Sequence, residues 1–361
     1  MKFCWYALLL LLCGAATAHH GPGQFDSSQP MEVTGIVTDI RFVNPHGYVY
    51  FDVTAADGSP VPWRCELQAG SLLRRSGWTE DLFSSGDIIT ITGDQGRREA
   101  HSCALRSVIL ADGSVLERYG QRREVVAPPT RPFRLADGQL NLAGDWAAAQ
   151  RRPDGGTGLG GMGPGPGMGP GPGMGPGAGM GPGAGLDLTQ AGLAAIEGVS
   201  HEEDNPRFHC MAVNIFFDWE FDRHINRISQ TEDAITLTYG FMDLVRTIHM
   251  NLDEHPADIT PTRAGHSIGR WEDDVLVVDT IGFTEGFISV GPGGVAKHSD
   301  ALHSVERFTY DADTQALERA YVAEDPLYFD GEYTGQDTVY LSDVPFDPYD
   351  CVDLKDEDLP D

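Results

Sequence analysis

Alternation of apolar and polar residues predicts a small β-rich unit early in the chain. The predicted strands are Met31–Val43, with Gly35 at a bulge, Tyr48–Ala55, Val61–Leu67, Asp87–Gly93 and Ala104–Leu116, the last folding back through Asp112-Gly113. A short helix is expected over Ala69–Ser76. Five short strands with one helix between the third and the fourth are the element order of an OB-like barrel.

Strand patterns return in the second half of the chain and predict a larger β domain. Leu140–Trp146 is a candidate first strand, and Leu188–Glu197 has a helical pattern with Thr189 near its N-cap. The later predicted strands are Ala234–Tyr239, Leu244–Asn251, Gly269–Asp279, His303–Tyr310, Ala316–Val322 and Asp337–Leu341. Short strands at regular spacing are typical of a barrel or a sandwich.

Two segments lack periodicity. Residues 120–136 are rich in charge and proline and are predicted to be a linker. Residues 155–185 are a Gly/Pro/Met-rich tract of low complexity, predicted to be a disordered insertion because glycine is costly to order. Its methionines at 162, 168, 174 and 180 fall in register, and thioethers select Cu(I), but an incidental repeat is the simpler interpretation.

The first 18 residues have the pattern of a signal peptide: Lys2, an apolar run from Phe3 to Cys13, and small residues ending at Ala18. Cleavage between Ala18 and His19 would leave a periplasmic or secreted protein. A lipoprotein signal based on Cys13 is disfavoured because Leu12 stands where a small residue is needed. No later segment is apolar enough to span a membrane.

The chain is strongly acidic, and this limits its partners. Its formal net charge is −29, which the loss of Lys2 would lower to −30. Such a surface repels nucleic acid and anionic lipid, so we expect neither as a partner. Residues 352–361 are expected to form a frayed acidic tail.

Four cysteines remain after the predicted cleavage, and an even number in an exported chain suggests disulfides. Three pairings are possible. We expect Cys65–Cys103 and Cys210–Cys351, which keep each bridge within one proposed domain. There is no CxxC motif, so nothing supports redox catalysis.

A first candidate site is a metal centre at the new N-terminus. The proposed ligands, which are suited to copper, are the free α-amine and imidazole of His19, together with His20, His46 and His101. His46 follows Pro45 at the start of a strand, where it can face the N-terminus from the barrel rim. The competing interpretation is a free tail and an ordinary turn histidine.

A second candidate site is a group of histidines and charged residues in the later domain: His255, His266, Arg270, Trp271, His298, His303, Glu306 and Arg307. His303 and Arg307 share one strand face and could hold an anion. A histidine there could act as a general base, although no catalytic motif is present. The competing interpretation, which we favour, is structural ion pairs with Trp271 filling the barrel.

Two resemblances extend this organisation. His19-His20, Phe25-Asp26, Gly35-Ile36-Val37, Asn44-Pro45-His46, Trp63 with Glu66, and Gly77-Trp78 together resemble a family of small exported bacterial proteins of unknown function. This resemblance implies an OB-like barrel over residues 19–119. The segment Gly265–Thr280, with His298-Ser299-Asp300 and Glu306-Arg307-Phe308, resembles an uncharacterised exported bacterial module covering residues 137–351. That resemblance makes the Met-Gly-Pro tract an insertion within the module.

These observations favour a mainly β protein, with an OB-like barrel followed by a larger lipocalin-like barrel or sandwich. Our leading hypothesis is an exported protein that binds a metal ion, with copper the candidate, or a small molecule. One alternative is an enzyme with a His/Arg active site in the second barrel. Another is a structural module of an envelope complex.

Overall fold

The computed structural model describes residues 24–124, 126–127, 130–149, 186–200, 203–289 and 295–352, and its fold is mainly β. The predicted signal peptide, His19, His20, the Met-Gly-Pro tract and the acidic tail after Val352 lie outside the described residues. Within the described ranges, no helix is both long and apolar enough to cross a membrane.

The first unit is a small closed barrel. Its strands are β1 (Phe25–Arg41), β2 (Tyr48–Thr54), β3 (Pro60–Glu66), β4 (Ile88–Gly96), β5 (Ser102–Ile109) and β6 (Val115–Glu117). Helix α1 (Gly70–Arg75) and a 3-10 turn (Glu80–Leu82) lie between β3 and β4. The sheet order is β3-β2-β1-β4-β5-β6, and a parallel β3–β5 pairing closes five of these strands into the predicted OB-like arrangement.

Strand β1 differs from its prediction in two respects. It begins at Phe25 rather than Met31, because polar residues before Met31 interrupt the alternation while still pairing with β4. The bulge against β2 lies between Val37 and Asp39, not at Gly35. Gly35 serves close packing instead: a Cβ there would lie 2.6 Å from a ring carbon of Phe51.

The second unit is a nine-stranded closed barrel, as the strand pattern predicted. In chain order its strands are β7 (Gly144–Ala147), β9 (Asn226–Gln230), β10 (Ala234–Thr238), β11 (Val245–His249), β12 (His266–Glu272), β13 (Val275–Ile281), β16 (His303–Asp311), β17 (Ala316–Glu324) and β19 (Tyr333–Leu341). Strands β11 and β12 are parallel, and the other neighbours are antiparallel. Strand β7 joins β9 and β19, so the segment before the Met-Gly-Pro tract belongs to this barrel.

Short elements decorate the second barrel. Strand β8 (Asp187–Leu188) pairs with β18 (Phe329–Asp330), and β14 (Gly286–Ser289) pairs with β15 (Val295–His298). The helices are α2 (Gln190–Ala195), α3 (Phe217–Glu220) and the 3-10 turns Pro206–His209 and Phe221–Arg223. The Thr189 side chain caps α2 by accepting a hydrogen bond from the Gly192 amide at 3.1 Å, as predicted.

Charged residues occupy the interior of the second barrel. Glu306 lies between Arg246 and Arg319, and Arg319 also pairs with Asp337. Burial opposes the charge on Arg319, but the carboxylates of Asp337 and Glu306 outweigh it and raise the arginine pKa. Arg319 also donates to the Ile215 carbonyl at 2.7 Å, which ties the segment around α3 into the core. The interior is therefore filled by a paired charge network.

Both expected disulfides are present. Cys65–Cys103 joins β3 to β5 inside the small barrel, where those strands close it. Cys210–Cys351 connects the turn before α3 to the C-terminal segment. The two pairings that the domain argument favoured are thus confirmed.

Polar contacts join the two barrels. The Ser71 hydroxyl on α1 lies 3.1 Å from Nδ1 of His224. Arg123, in the segment predicted to be a linker, forms a two-pronged ion pair with Asp343 at 2.6 and 2.7 Å. These contacts hold a surface of the small barrel against the second one.

Candidate functional site

The Asn44-Pro45-His46 turn lies at the junction of the two barrels. Asn44 is buried, and its side-chain oxygen accepts from the Ser71 amide at 3.1 Å. Its side-chain nitrogen donates to the Tyr349 carbonyl, and its own carbonyl accepts from the Val352 amide at 2.7 Å. Asn44 therefore fastens the C-terminal segment of the chain to the small barrel.

His46 begins an ionic chain at the barrel rim. Its Nδ1 lies 3.2 Å from a carboxylate oxygen of Glu66, which is also 3.6 Å from the guanidinium of Arg118. Two cationic or proton-carrying groups thus face one carboxylate. As a result, Glu66 adds little uncompensated negative charge to its surroundings.

His46 and Glu66 line a cavity between the barrels of about 390 Å³. The small barrel contributes Phe25, Ser27, Pro45, His46, Glu66, Asp94, Ala104, Arg118 and Tyr119 to the wall, and the second unit contributes Arg207, Phe208, Phe221, Asp222, Phe241, Met242 and Tyr349. A cavity of this size is in the range that takes a small organic molecule.

Aromatic rings form the wall on the side of the second barrel. The ring centres of Phe221 and Phe241 are 4.5 Å apart, and those of Phe241 and Tyr349 are 5.1 Å apart. Tyr349 lies two residues before Cys351, so the disulfide to Cys210 holds this ring in place. The wall offers a preformed apolar surface.

Arg207 is the cation of this wall. Its guanidinium lies 4.5 Å from the centre of the Phe208 ring and 5.7 Å from that of Phe221. Burial lowers its pKa, but an arginine remains charged at neutral pH. Its buried Nε has no hydrogen-bond partner, and it forms no ion pair with a carboxylate in the described part of the chain. The site therefore has a cation positioned by rings rather than neutralised by an acid.

The predicted metal ligands of the first barrel are not all brought together. His46 reaches the cavity, whereas His101 packs on Trp63 with 5.3 Å between ring centres. Trp63 precedes Glu66 by three strand residues, which places His101 about 10 Å along β3 from the His46 partner. His19 and His20 lie outside the described residues.

The candidates of the second barrel are spread over several environments. Glu306 is part of the interior charge network, and His298 is a core residue that contacts the Ser299 carbonyl at 3.0 Å. Burial lowers the pKa of His298. Trp271 is partly buried and packs against the core cluster of the barrel. Its indole donates to Gln139 at 3.0 Å.

The other five candidates lie on the outer face of the second barrel. Arg270 and Arg307 both pair with Glu272, at 2.8 and 2.7 Å. His303 pairs with Asp279 at 3.0 Å, and Asp279 is linked through His255 to His266. Arg307 and His303 thus share a strand face, as predicted, but each is bound to a different carboxylate.

Sequence reasoning missed Arg207, Phe241 and Tyr349. They are more than 150 residues from His46 in the chain and reach it only when the barrels meet. A weak signal was present in the sequence: the pair Arg207-Phe208 stands two residues before a disulfide cysteine, in a segment without strand periodicity.

Comparison with known proteins is informative for the small barrel. Residues 8–104 match the sequence profile of a family of unknown function, DUF6152. The match ends in β5, and it includes the Asn-Pro-His turn and Glu66. No curated protein matches the chain.

Proposed function

We propose that this chain is an exported binding protein that takes a small amphipathic molecule carrying an anionic group into the cavity between its barrels. The observation that carries the proposal is the position of Arg207: a half-buried guanidinium, without an acidic partner among the described residues, set among the rings of a 390 Å³ cavity.

The apolar part of the ligand would lie on the ring wall. Phe221, Phe241 and Tyr349 are already packed against each other, so little side-chain order has to be created on binding. Met242 on the same wall has a flexible thioether side chain that adapts to irregular shapes. This wall selects for an aromatic or aliphatic body but not for one particular shape.

The anionic part would meet Arg207. A carboxylate, sulfonate or phosphate oxygen there gains a charge-assisted hydrogen bond in a partly desolvated site. On the opposite wall the acidic groups are already compensated, since Glu66 faces His46 and Arg118 and Asp94 faces Arg106. Asp222 adds a further carboxylate to the wall that carries Arg207, so the proposal places the anionic group at Arg207 itself and does not rest on the net charge of the cavity.

A pair of fluorescent probes tests this proposal. 8-Anilinonaphthalene-1-sulfonate and N-phenyl-1-naphthylamine share one ring system, and only the first carries a sulfonate. We expect the folded protein to bind the sulfonate more tightly. Arg207→Gln should weaken sulfonate binding by about 10-fold or more and leave the neutral probe almost unchanged, because one charge-assisted hydrogen bond is lost.

Two further variants separate the site from general effects. Met242→Ala should weaken the binding of both probes to a similar degree, because it removes apolar surface from the cavity wall. Arg270→Gln is the matched control, because Arg270 is an exposed arginine paired with Glu272 on the barrel surface. The proposal fails if Arg207→Gln binds the sulfonate as wild type does, or if Arg270→Gln weakens it equally.

A copper site at the same cavity is a second candidate, favoured by one observation. Phe25, the first residue of β1, lines the cavity together with His46. The six residue steps from His19 to Phe25 span at most about 20 Å, a length that would allow an amino end at His19 to reach His46. The amine and imidazoles would supply the nitrogen ligands that Cu(II) prefers.

Titration of the exported protein with Cu(II) tests this second candidate. One equivalent should disappear in His46→Ala, and also when an additional residue precedes His19, while His101→Ala keeps it. Retention of that equivalent in both of the first two variants would refute the site.

A further inference from the structure

Five polar residues cluster on the outer face of the second barrel, away from the inter-barrel cavity. His249, His266, Asp279 and His303 come from the consecutive strands β11, β12, β13 and β16, and His255 comes from the loop joining β11 to β12. Their strand neighbours Ile248, Ser267, Thr280 and Ser304 are fully buried, so the cluster residues point outward. We call these five residues the histidine cluster.

Hydrogen bonds run through the histidine cluster. One carboxylate oxygen of Asp279 accepts a hydrogen bond from Nε2 of His303 at 3.0 Å. The other oxygen accepts one from Nε2 of His255 at 2.9 Å. Nε2 of His255 donates its proton in this hydrogen bond to Asp279. In a neutral His255 the other nitrogen, Nδ1, therefore has no proton and carries a lone pair. That Nδ1 lies 2.9 Å from Nδ1 of His266, which therefore carries the shared proton. The carboxylate thus fixes the tautomers of both rings.

The two facing nitrogens are close to the separation that a metal ion requires. With a metal–nitrogen distance of about 2.0–2.1 Å, two ligands of a tetrahedral Zn²⁺ are about 3.3 Å apart. Replacing the shared proton by the ion needs an opening of only about 0.4 Å from the separation seen here. The ring centres of His255 and His266 are 5.1 Å apart with planes inclined by 68°, and both rings would have to turn slightly so that their Nδ1 atoms face one ion.

The proton that the two rings share can also be accommodated elsewhere when a metal ion replaces it. When an ion enters, the proton on Nδ1 of His266 moves to Nε2 of the same ring, and both imidazoles remain neutral. Each ring would then offer one nitrogen to the ion and keep its single proton on the other.

A third histidine, His249, lies beside this pair. It stacks on His266 with 4.9 Å between ring centres, so its side chain would have to rotate to offer a nitrogen to the same ion. No group of three or more His, Cys, Asp or Glu side chains in the described ranges is already arranged to hold a metal. Two nitrogens are in place, and His249 and water would complete the coordination.

We propose that the histidine cluster is a binding site for a divalent transition metal of the Zn²⁺ class, ligated by Nδ1 of His255 and Nδ1 of His266. Asp279 positions His255 through its second nitrogen, which is the usual carboxylate–histidine–metal arrangement. His303 orients Asp279 without touching the ion. The His303 side chain is 43 % exposed, so the histidine cluster opens to solvent beside Asp279.

Calorimetric titration of the full exported chain with Zn²⁺ tests the proposal. We expect one equivalent that is absent from His255→Gln and from His266→Gln. Asp279→Asn should bind 10- to 100-fold more weakly, as expected for loss of a carboxylate that orients a ligand. His249→Gln should have a smaller effect than either ligand variant, because its nitrogen has to rotate into place.

Matched controls separate this site from the inter-barrel cavity. His46→Ala and His101→Ala should keep the Zn²⁺ equivalent, and Arg207→Gln should also keep it. Co²⁺ provides a second readout, since a tetrahedral imidazole site gives intense visible absorption that His266→Gln should remove. Urea unfolding of each variant confirms that it folds. The proposal is overturned if a folded His255→Gln/His266→Gln double variant still binds the same equivalent of Zn²⁺.

Discussion

The interiors of the two barrels are filled by different kinds of side chain. The small barrel is packed with apolar side chains such as Val49, Phe51 and Ile91 around a buried disulfide. The larger barrel has more space at its centre and holds two arginines and two acids there, with aromatic rings around them. A larger circumference leaves room that aliphatic residues alone do not fill, and long paired side chains occupy it.

This difference bears on where function is located. The paired charges of Arg246, Glu306, Arg319 and Asp337 leave the inside of the large barrel occupied, so it is not where a ligand enters. The candidate sites lie instead between the barrels and on the outer surface. An acid or base buried in a barrel is therefore weak evidence for catalysis when each charge already has a partner.

The largest expected effect is on the charge network. Glu306→Leu leaves Arg246 facing no carboxylate, and it should lower the free energy of unfolding by about 3–5 kcal/mol, measured by urea denaturation. Adding Arg246→Met should recover part of this loss, because the unpaired charge is then gone. Glu318→Leu, on the exposed face of the neighbouring strand, is the control. A loss below about 1 kcal/mol for Glu306→Leu would contradict the role given to the network.

The second largest effect is expected on the pH dependence of stability, through a histidine at the contact between the two barrels. Burial and Arg75 lower the pKa of His224 to about 3 from 6.5, so the folded state keeps this imidazole neutral. The unfolded chain binds a proton below about pH 6.5, and stability present above that pH is lost on acidification. Because of this one histidine, the free energy of unfolding should fall by roughly 3 kcal/mol between pH 7 and pH 4.

His224→Gln should remove that acid loss, and the comparison with wild type by denaturation at several pH values isolates it. Glu220 acts in the opposite direction, because burial raises its pKa to about 7 and its folded form gains stability as the pH falls. Glu220→Gln should therefore steepen the acid loss of the wild type. Equal pH profiles for His224→Gln and wild type would disprove the role of this histidine.

The smallest effect is expected in the small barrel. Ile91→Val removes one methylene from an apolar core, and it should cost about 1 kcal/mol. The cost should be the same at pH 5 and pH 8, since no ionisable group is in that core cluster. Denaturation of the variant at both pH values measures this. A pH-dependent cost would show that the contrast between the two interiors is less sharp than described.

The sequence was most informative where interiors are apolar. In β4 of the small barrel, buried and more exposed residues alternate, so the succession of strands and the position of the helix along the chain were predictable. In β16, Ser304 and Glu306 point inward while Val305 points outward, which reverses the usual pattern. The presence of this strand could be predicted, but the direction of its faces could not, because the partners of Glu306 come from distant strands.

The candidate site was predictable only in part. His46 was identified because it follows Asn44-Pro45 at a strand start, a feature of local sequence. The ring wall and Arg207 depend on how two barrels meet, and no local pattern encodes that contact. Likewise, His266 and His303 were identified as candidates, whereas Asp279, which links them through His255, was not, since acidic residues are common throughout this chain.

The Cys210–Cys351 bridge imposes an order on maturation. Its cysteines are 141 residues apart, so the strands between them must be synthesised before it can form. Until then the covalent tie between the segment that carries Tyr349 and the turn that carries Arg207 and Phe208 is absent. For the binding role proposed above, a ligand would therefore meet a covalently closed wall only in a compartment where this disulfide can form.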